Sequence, residues 1–387
     1  MDEQRENHGG FPLQKLPWLV TAQIIRSMET WEQIRLCLTS NKMELITRSV
    51  RLTPVHYECH FTETGQLFVI DFSPLFVTYG YINYPPEKPQ DTHIMKEELS
   101  KWMGPTDESD FEKIMRVFER VISIIPPNFI SVGLYPNHMT ITTLQNVFSH
   151  PSIRNCDKIF IDAQGTTTNS EFLDYVLNTA SRLKHLKLGN TNPPYGYHHE
   201  KMFQIGKFEW MSSEWISIES LFTIKNYYTG TIEKNQFSYA DLNRLLKYWI
   251  HSEIDMWKNL FIQMEEEIPE DVLFDGIVRL KSNYFTTILY FIKSDLKQRK
   301  RGLPILTICC VENKLRLSTW SPDESWRSPD GWIDSFQKEY EALRTVERRR
   351  ELERRVVTRY GNVKLKIREL NEQLEQLQEK FNFTIAE

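Results

Sequence analysis

The stretch FPLQKLPWLVTAQIIRSMETWEQIRLCLTSNKMELITRS, residues 11–49, decides how the rest of the chain is interpreted. Pro17 suits the first position of a helix, where its missing N–H is not needed, and apolar residues then recur at helical spacing. Thr30 is a suitable N-cap for a second helix, and a third short helix follows Ser40-Asn41-Lys42. Three helices in about forty residues cannot bury all their apolar side chains among themselves. We therefore expect one face to contact the rest of the chain or a partner.

An ordered series of residues along this stretch carries a family resemblance. The series is Leu16-Pro17, Ile24-Ile25, Met28, Ile34, Leu36, Leu38 and Ser40-Asn41-Lys42. It resembles, without a gap, the F-box motif, which binds the Skp-type adaptor of SCF ubiquitin ligases. The opening FPLQKLPWLV, residues 11–20, resembles the form found in the large nematode F-box families. The resemblance implies an F-box over residues 11–50 with the adaptor-binding residues Leu16, Pro17, Val20, Ile24, Ile34 and Leu38.

Length and composition are those of a globular protein. The chain has 387 residues, which predicts two or three domains, and it is 40% hydrophobic and 26% charged. Its formal net charge is −5 and its pI is about 6.1, which disfavours a general nucleic-acid binder. The basic segments 297–301 and 348–359 are the places where nucleic acid could still bind, with a steep dependence on salt.

The sequence also predicts a cellular compartment. Its five cysteines have no paired spacing, which is typical of a reducing compartment. The polar N-terminal segment has no secretory signal. The longest apolar run, residues 284–292, is much shorter than the roughly 20 residues that a membrane helix needs. We expect a cytoplasmic or nuclear protein that does not bind membranes.

The middle of the chain contains a weak repeat. Residues 156–161, 183–188 and 257–262 share the pattern apolar-x-x-apolar-x-apolar, which predicts three strands. Helical stretches at 171–182 and 239–251 directly precede the last two, and residues 220–224 are predicted to form a further strand. Helix–strand units of this kind indicate a leucine-rich-repeat-like array, in which each unit packs on the next. A compact α/β domain is the alternative.

A second resemblance falls on the same region. Its residues are Trp215-Ile216 with Leu221, then the helix-forming stretch 241–250, DLNRLLKYWI, and then the strand 260–262. This order resembles the nematode F-box-associated domain, type 2, with one extra residue, Leu246, in the second motif. The resemblance covers about 140–267 and implies an α/β domain that binds a target protein. Trp249 and Trp257 are expected to lie in its core.

The remaining segments are less specific. Residues 1–10 are polar and charged and are predicted to be a disordered tail. Residues 51–139 form a mixed region, with strands predicted at 66–72, 75–79 and 129–134 and a helix at 110–125. Residues 268–335 form a second mixed region of strand-like and ambiguous runs.

The C-terminal segment, residues 336–382, is predicted to be one long charged helix. Its apolar residues alternate steps of four and three, which is the spacing of a coiled-coil seam. The seam residues are Val363, Ile367, Leu370, Leu374 and Leu377. Such a helix either associates with a second copy or a partner, or packs back on the body of the protein.

Motifs for catalysis are missing from the sequence. It has no Gly-rich phosphate loop, no H-E-x-x-H and no G-x-S-x-G. His56, Cys59 and His60 are spaced closely enough for metal ligands, but a fourth ligand is missing. We therefore expect no enzyme, no cofactor and no bound metal.

These patterns lead to two functional hypotheses for a mixed α/β (α+β) protein with a small three-helix F-box and a long C-terminal helix. The first is a substrate receptor of an SCF-type E3 ubiquitin ligase, whose partners are a Skp-type adaptor, through it a cullin, and an unknown protein substrate. The second is a non-catalytic scaffold that self-associates through the C-terminal coiled coil and has a vestigial F-box. Glu29-Thr30 and Ser40-Asn41 favour the second, because the F-box motif often has Asp-Pro and Cys-Lys/Arg at these places.

Overall fold

The computed structural model describes residues 13–62, 65–71, 77–82, 99–104, 107–225, 227–264, 269–284, 287–295, 301–311, 313–328, 331–333, 335–356, 362–381 and 383–386. The chain is a mixed α/β protein, as the sequence predicts. It divides into two compact units, residues 1–160 and 161–387. This division does not coincide with the predicted boundaries at 50/51, 139/140, 267/268 and 335/336. The predicted tail, residues 1–10, lies outside the described residues.

The described part of the first unit combines helices with a short mixed sheet. Its helices are α1 (Trp18–Ser27), α2 (Thr30–Thr39), α3 (Asn41–Ser49), α4 (Asp110–Ile124), α5 (Ile141–Ser149) and α6 (Pro151–Arg154). Its strands are β1 (Val55–Thr62), β2 (Gly65–Asp71), β3 (Val77–Ile82) and β4 (Pro127–Leu134), and β5 (Lys158–Ile161) lies at the division between the units. In the sheet β1 pairs parallel to β4 and antiparallel to β2, and β2 pairs antiparallel to β3.

The N-terminal stretch forms three helices, with caps that differ from the predicted ones. Pro17 is the residue before α1 rather than its first residue. Glu29, not Thr30, caps α2, and the side chain of Glu32 accepts a hydrogen bond from the backbone N–H of Glu29 at 2.8 Å. Ser40 caps α3 by accepting a hydrogen bond from the backbone N–H of Met43. Each cap satisfies backbone groups that a helix end leaves unpaired.

A side chain of α2 closes the end of α1. The amide of Gln33 donates hydrogen bonds to the carbonyl oxygens of Ile25 at 2.9 Å and Met28 at 3.0 Å. Gln33 is itself buried, as are the neighbouring apolar residues Ile25 and Cys37. Because buried carbonyls without partners are costly, this contact fixes α1 against α2.

Helix α4 packs its apolar stripe against the first sheet. Phe118 and Val121 are buried on this stripe, and the ring of Tyr57 on β1 meets the ring of Phe118 edge to face at 5.9 Å. The Tyr57 hydroxyl donates a hydrogen bond to the carbonyl of Ile125 at 2.7 Å. Strand β1 was not predicted, although Val55, Tyr57, Cys59 and Phe61 alternate with polar residues in the pattern of a half-buried strand. The predicted strand 75–79 falls partly outside the described residues, and β3 is described from Val77.

The second unit is built on a long sheet with helices. Its described helices are α7 (Ser170–Thr179), α8 (Ile218–Leu221), α9 (Tyr239–His251), α10 (Glu270–Leu273), α11 (Gln337–Val356) and α12 (Asn362–Phe381). Its described strands are β6 (His185–Leu188), β7 (Lys207–Trp210), β8 (Tyr227–Ile232), β9 (Trp257–Gln263), β10 (Arg279–Tyr284), β11 (Thr287–Lys293), β12 (Ile305–Val311), β13 (Lys314–Trp320), β14 (Trp326–Ser328), β15 (Gly331–Ile333) and β16 (Phe383–Ala386). The strand order in the sheet is β6-β7-β8-β9-β13-β12-β11-β10-β16, and β14 pairs with β15 separately.

The strands from β6 to β9 are parallel and adjacent in chain order. Leu186, Phe208, Gly230 and Leu260 lie in register across them, on the buried face. The predicted strands at 156–161, 183–188 and 257–262 correspond to β5, β6 and β9, the first two beginning two residues later than predicted, and the predicted helix 239–251 is α9. The predicted strand 220–224 is wrong, because α8 ends at Leu221 and the chain then turns. Strands β7 and β8 were not predicted.

Strands β13, β12, β11, β10 and β16, in the order of the sheet, pair antiparallel, and the C-terminal helices pack on this part of the sheet. Helices α11 and α12 pack against each other as an antiparallel pair. Arg349 Nη1 lies 3.3 Å from Asn371 Oδ1, and the Lys338 ammonium lies 4.9 Å from the Phe381 ring centroid. The predicted single long helix is thus a pair of helices. Phe336 and Leu343 are buried with Phe291, Ile305 and Trp320 of the sheet.

The predicted coiled-coil seam lies within this hairpin. Leu374 is buried, and Leu377 packs against the core formed by the sheet and α11. Val363, Ile367 and Leu370 are half-buried. The heptad spacing therefore describes a helix that packs back on its own unit, which was one of the two predicted outcomes.

We predict that Gly230→Ala destabilises the second unit. A Cβ at this position would lie 2.2 Å from Cζ of Phe208 on the neighbouring strand, and both residues are buried. Overpacking of this kind costs about 1–3 kcal/mol. Urea denaturation followed by tryptophan fluorescence gives the free energy of unfolding.

Gly206→Ala is the matched control. Its added Cβ would meet only the Lys184 carbonyl oxygen at 3.5 Å, which is an ordinary contact. We expect this variant to unfold within about 0.5 kcal/mol of the native chain. Equal stabilities of the two alanine variants would contradict the packing of Phe208 over Gly230.

Candidate interaction surfaces

The first candidate surface is apolar and lies on the N-terminal helices. Trp18, Leu19 and Val20 form the first turn of α1 and are 48%, 79% and 45% exposed. Leu45 on α3 is 67% exposed. Several large apolar side chains exposed on one small helical module are typical of a protein interaction site.

The predicted adaptor-binding residues are distributed between this surface and the interior. Pro17 and Val20 are exposed, and Leu16, Ile24 and Leu38 are half-buried. Ile34 is only 1% exposed, so it belongs to the core of the helices and cannot lie on an exposed face. The sequence reasoning missed Trp18 and Leu19, although the uninterrupted run Trp18-Leu19-Val20 is wider than the stripe that one buried helix face needs.

An ion-pair cluster anchors α3 to α4. The carboxylate of Glu44 is buried and accepts hydrogen bonds from Arg120 Nε at 3.1 Å and Arg120 Nη2 at 2.5 Å. Arg48 Nη2 donates a further hydrogen bond to Glu44 at 2.6 Å. The Arg120 guanidinium also stacks over the Trp102 ring, 4.8 Å from its centroid. Burial by itself raises the pKa of Glu44, but the hydrogen bonds and charges of Arg120 and Arg48 outweigh it and lower the pKa.

We predict that Glu44→Gln lowers the free energy of unfolding of the first unit by about 2 kcal/mol at neutral pH, because it leaves Arg120 without its carboxylate. The lowered pKa means that the carboxylate stabilises the fold above its ordinary pKa near 4.5. This stabilisation is lost as the pH falls through the folded-state pKa, so the two proteins converge in acid. Thermal and urea unfolding at a series of pH values measure the difference.

The control for this prediction is Asp107→Asn, at an exposed acid of the same unit. It should change the stability by less than about 0.5 kcal/mol at every pH. A Glu44→Gln protein as stable as the native one at neutral pH would contradict the anchoring role of the cluster.

The second candidate surface is the open face of the parallel strands in the second unit. Buried side chains alternate with half-exposed ones along β6 and β7, over 229–232 of β8 and over 259–262 of β9. The half-exposed residues are His185, Lys187, Lys207, Glu209, Thr229, Thr231, Asn259 and Phe261. Strands present successive side chains to opposite faces. These eight side chains therefore share one face of the sheet, and all of them except Phe261 are polar.

A single carboxylate organises the centre of this surface. Glu209 lies 2.7 Å from Lys207 Nζ, 3.3 Å from Lys187 Nζ and 3.2 Å from His185 Nε2. Burial by itself raises the pKa of Glu209, but Lys207, His185 and Lys187 outweigh it and lower the pKa to about 2. Glu209 is therefore ionised over the whole physiological range and holds two lysines from different strands in fixed positions.

The same face continues onto β13, which pairs with β9. Ser318 donates a hydrogen bond to the side-chain oxygen of Asn259 at 2.9 Å. The Arg316 guanidinium lies 5.4 Å from the centroid of the Phe261 ring, within range of a cation–π contact. Phe261 and Arg316 thus lie on the same face as the lysine–glutamate cluster, on strands further along the sheet.

We predict that Glu209→Gln destabilises the second unit by about 1–2 kcal/mol at neutral pH, since the lysines then repel each other in a partly exposed site. Because the pKa of Glu209 is lowered to about 2 from an ordinary value of 4.5, its stabilisation is complete above pH 4.5 and is lost as the pH falls toward 2. Urea unfolding at neutral and acid pH tests this. Glu214→Gln, at an exposed acid, should unfold as the native chain does, and a Glu209→Gln protein that matched it would disprove the organising role.

The residues considered as metal ligands do not converge. On β1, the side chains of His56 and His60 lie on one face and Cys59 lies on the other, buried. His60 Nδ1 lies 3.1 Å from the Tyr135 hydroxyl, and Nε2 lies 3.5 Å from Glu58. Among the described residues, no group of three or more histidine, cysteine or acidic side chains is arranged to hold a metal ion. The five cysteines are all free thiols.

One basic segment is partly inside the protein. Residues 296–300 lie outside the described part, but Arg301 is buried and donates a hydrogen bond to the Trp249 carbonyl at 2.6 Å. Its guanidinium stacks over the Trp249 ring, 4.1 Å from the centroid. Arg301 therefore closes the end of α9 rather than joining a surface patch.

Comparisons with known proteins find no match among protein-family models, curated proteins or solved structures. Within the part of the chain that the structure describes, no helix combines the length and the apolar character that crossing a membrane requires. The functional interpretation therefore depends on the two surfaces described above.

Proposed function

We propose that this chain is the substrate-receptor subunit of an SCF-type E3 ubiquitin ligase. The observation that carries the proposal is the exposed apolar turn of Trp18, Leu19 and Val20, directly after Pro17, on a three-helix module. The series of residues that resembles the F-box motif runs through the same three helices. Burying apolar surface contributes about 25 cal/mol per Å², so these side chains are a ready source of binding free energy.

In this proposal the Skp-type adaptor covers the first turn of α1 and the exposed part of α3. Pro17, Val20 and Leu45 contact it directly together with Leu19. Ile34 does not contact the adaptor in this proposal, because it is buried in the core of the helices. The Glu44–Arg120 cluster keeps the module in a fixed position on the first unit. The adaptor in turn connects the chain to a cullin.

The second unit holds the target protein. Its parallel strands follow each other in chain order and each buries one face, which supports a leucine-rich-repeat-like array. The other face is open and polar, as described for His185 through Phe261. A target bound there is kept near the transfer site, which raises its effective concentration. The chain itself then needs no nucleophile, because other subunits transfer ubiquitin.

The scaffold hypothesis has less support. It requires the apolar seam of α12 to contact a second chain, but Leu374 and Leu377 are packed against the second unit itself. Val363, Ile367 and Leu370, on the same helix, are half-buried. We therefore do not propose self-association.

We predict that the native chain co-purifies with a Skp-type adaptor as a 1:1 complex, and that the double variant Leu19→Asp, Val20→Asp binds at least about tenfold more weakly. Two charges in place of exposed apolar side chains remove contact area and leave unpaired carboxylates at the interface. Both positions are exposed, so the fold is retained. Size-exclusion chromatography and calorimetry measure the complex, and circular dichroism confirms folding.

The matched control carries two aspartates at exposed apolar positions of the second unit, Tyr195→Asp and Ile254→Asp. It should bind the adaptor as the native chain does. The proposal fails if the folded native chain binds no adaptor at micromolar concentration, or if the α1 variant binds with unchanged affinity.

A further inference from the structure

We infer that the open face of β6, β7, β8, β9 and β13 binds an extended protein segment rich in acidic side chains. This inference rests on the proposed function where it names the substrate class of the receptor.

The face is positively charged on a chain that is negative overall. The open face itself carries four lysine or arginine side chains, Lys187, Lys207, Lys314 and Arg316, and a single carboxylate, Glu209. The whole chain has a formal net charge of −5. Concentrating positive charge on one face attracts an acidic partner and speeds its encounter.

The cations are held in place before any ligand binds. Glu209 contacts Lys207 at 2.7 Å and Lys187 at 3.3 Å, and both lysines project from strands of the sheet. Side chains fixed on rigid strands lose less conformational entropy on binding than free lysines do. The site is thus already arranged to receive carboxylates on either side of Glu209.

The length of the face fits a short extended peptide. Neighbouring strands are about 4.8 Å apart, so the five strands from β6 to β13 span about 19 Å, or about six residues of extended chain. Between the two charged ends lie the hydroxyl groups of Thr229 and Thr231 and the amide of Asn259, which can bond a peptide backbone. Phe261 adds an apolar contact beside Arg316.

The position of Glu209 selects among anionic ligands. A nucleic acid carries a continuous row of phosphates and would bring one of them against the ionised Glu209. A peptide can place glutamates opposite Lys187 and Arg316 and an apolar side chain between them. The face therefore fits an acidic peptide with interspersed apolar residues better than it fits a polyphosphate backbone.

The test measures fluorescence anisotropy of labelled peptides with the full chain, without adaptor. The probes are the peptide EELEELEE, its basic and neutral counterparts KKLKKLKK and NNLNNLNN, and an oligothymidylate of equal length. We expect EELEELEE alone to bind, and its affinity to fall several-fold as salt is raised. The double variant Lys187→Gln, Lys207→Gln should weaken binding at least about tenfold, and Lys187→Glu, Lys207→Glu should weaken it further.

The control variant is Lys247→Gln, which removes a lysine from α9 rather than from the open face; it should bind the peptide unchanged. Absent binding of EELEELEE, equally tight oligothymidylate binding, or unchanged affinity of a folded Lys187→Gln, Lys207→Gln protein would each overturn the inference. A separate measurement of adaptor binding distinguishes the failure of this inference from the failure of the proposed function. If the native chain takes up the adaptor but not the peptide, only this inference fails, whereas peptide binding without adaptor binding refutes only the receptor role.

Discussion

The second unit depends on the in-register burial of one face of its parallel strands. Leu186, Phe208, Gly230 and Leu260 follow each other across four strands, and the next buried row is Leu188, Trp210, Ile232 and Ile262. Because side chains alternate along a strand, a shift of one residue in β6 or β7 would expose its buried side chains and bury its lysine. The same constraint therefore creates both the core and the polar surface opposite it.

Gly230 explains how such different residues share one row. The ring of Phe208 occupies the space that a side chain at 230 would fill, so one strand has a large residue where its neighbour has none. Interiors are packed to high density, and a large residue beside a small one keeps that density without strain. The aromatic contacts continue from Phe208 to Trp210 at 4.1 Å and from Trp210 to Trp215 at 5.6 Å.

These packing details also explain what the sequence could predict. Strands β6 and β9 were predictable because leucine and isoleucine mark their pattern, whereas β7 and β8 use Phe208, Trp210 and Gly230 at the same places. Residues 220–224 are apolar but too short to distinguish a strand from a helical turn. The Glu209 cluster joins residues about one repeat apart in sequence, so only the strand register brings them together. The heptad spacing of α12 was readable, but spacing is the same for a helix that packs on its own chain and for one that packs on another.

Strand β16 completes the pairing of β10 only late in synthesis. The parallel strands β6 to β9 pair with neighbours that leave the ribosome in succession, so each can dock as soon as it is made. One edge of β10 instead pairs with β16, Phe383–Ala386, which is synthesised about a hundred residues later. Until those residues emerge, β10 presents an unpaired strand edge to the cell, where a chaperone or another nascent chain can bind it.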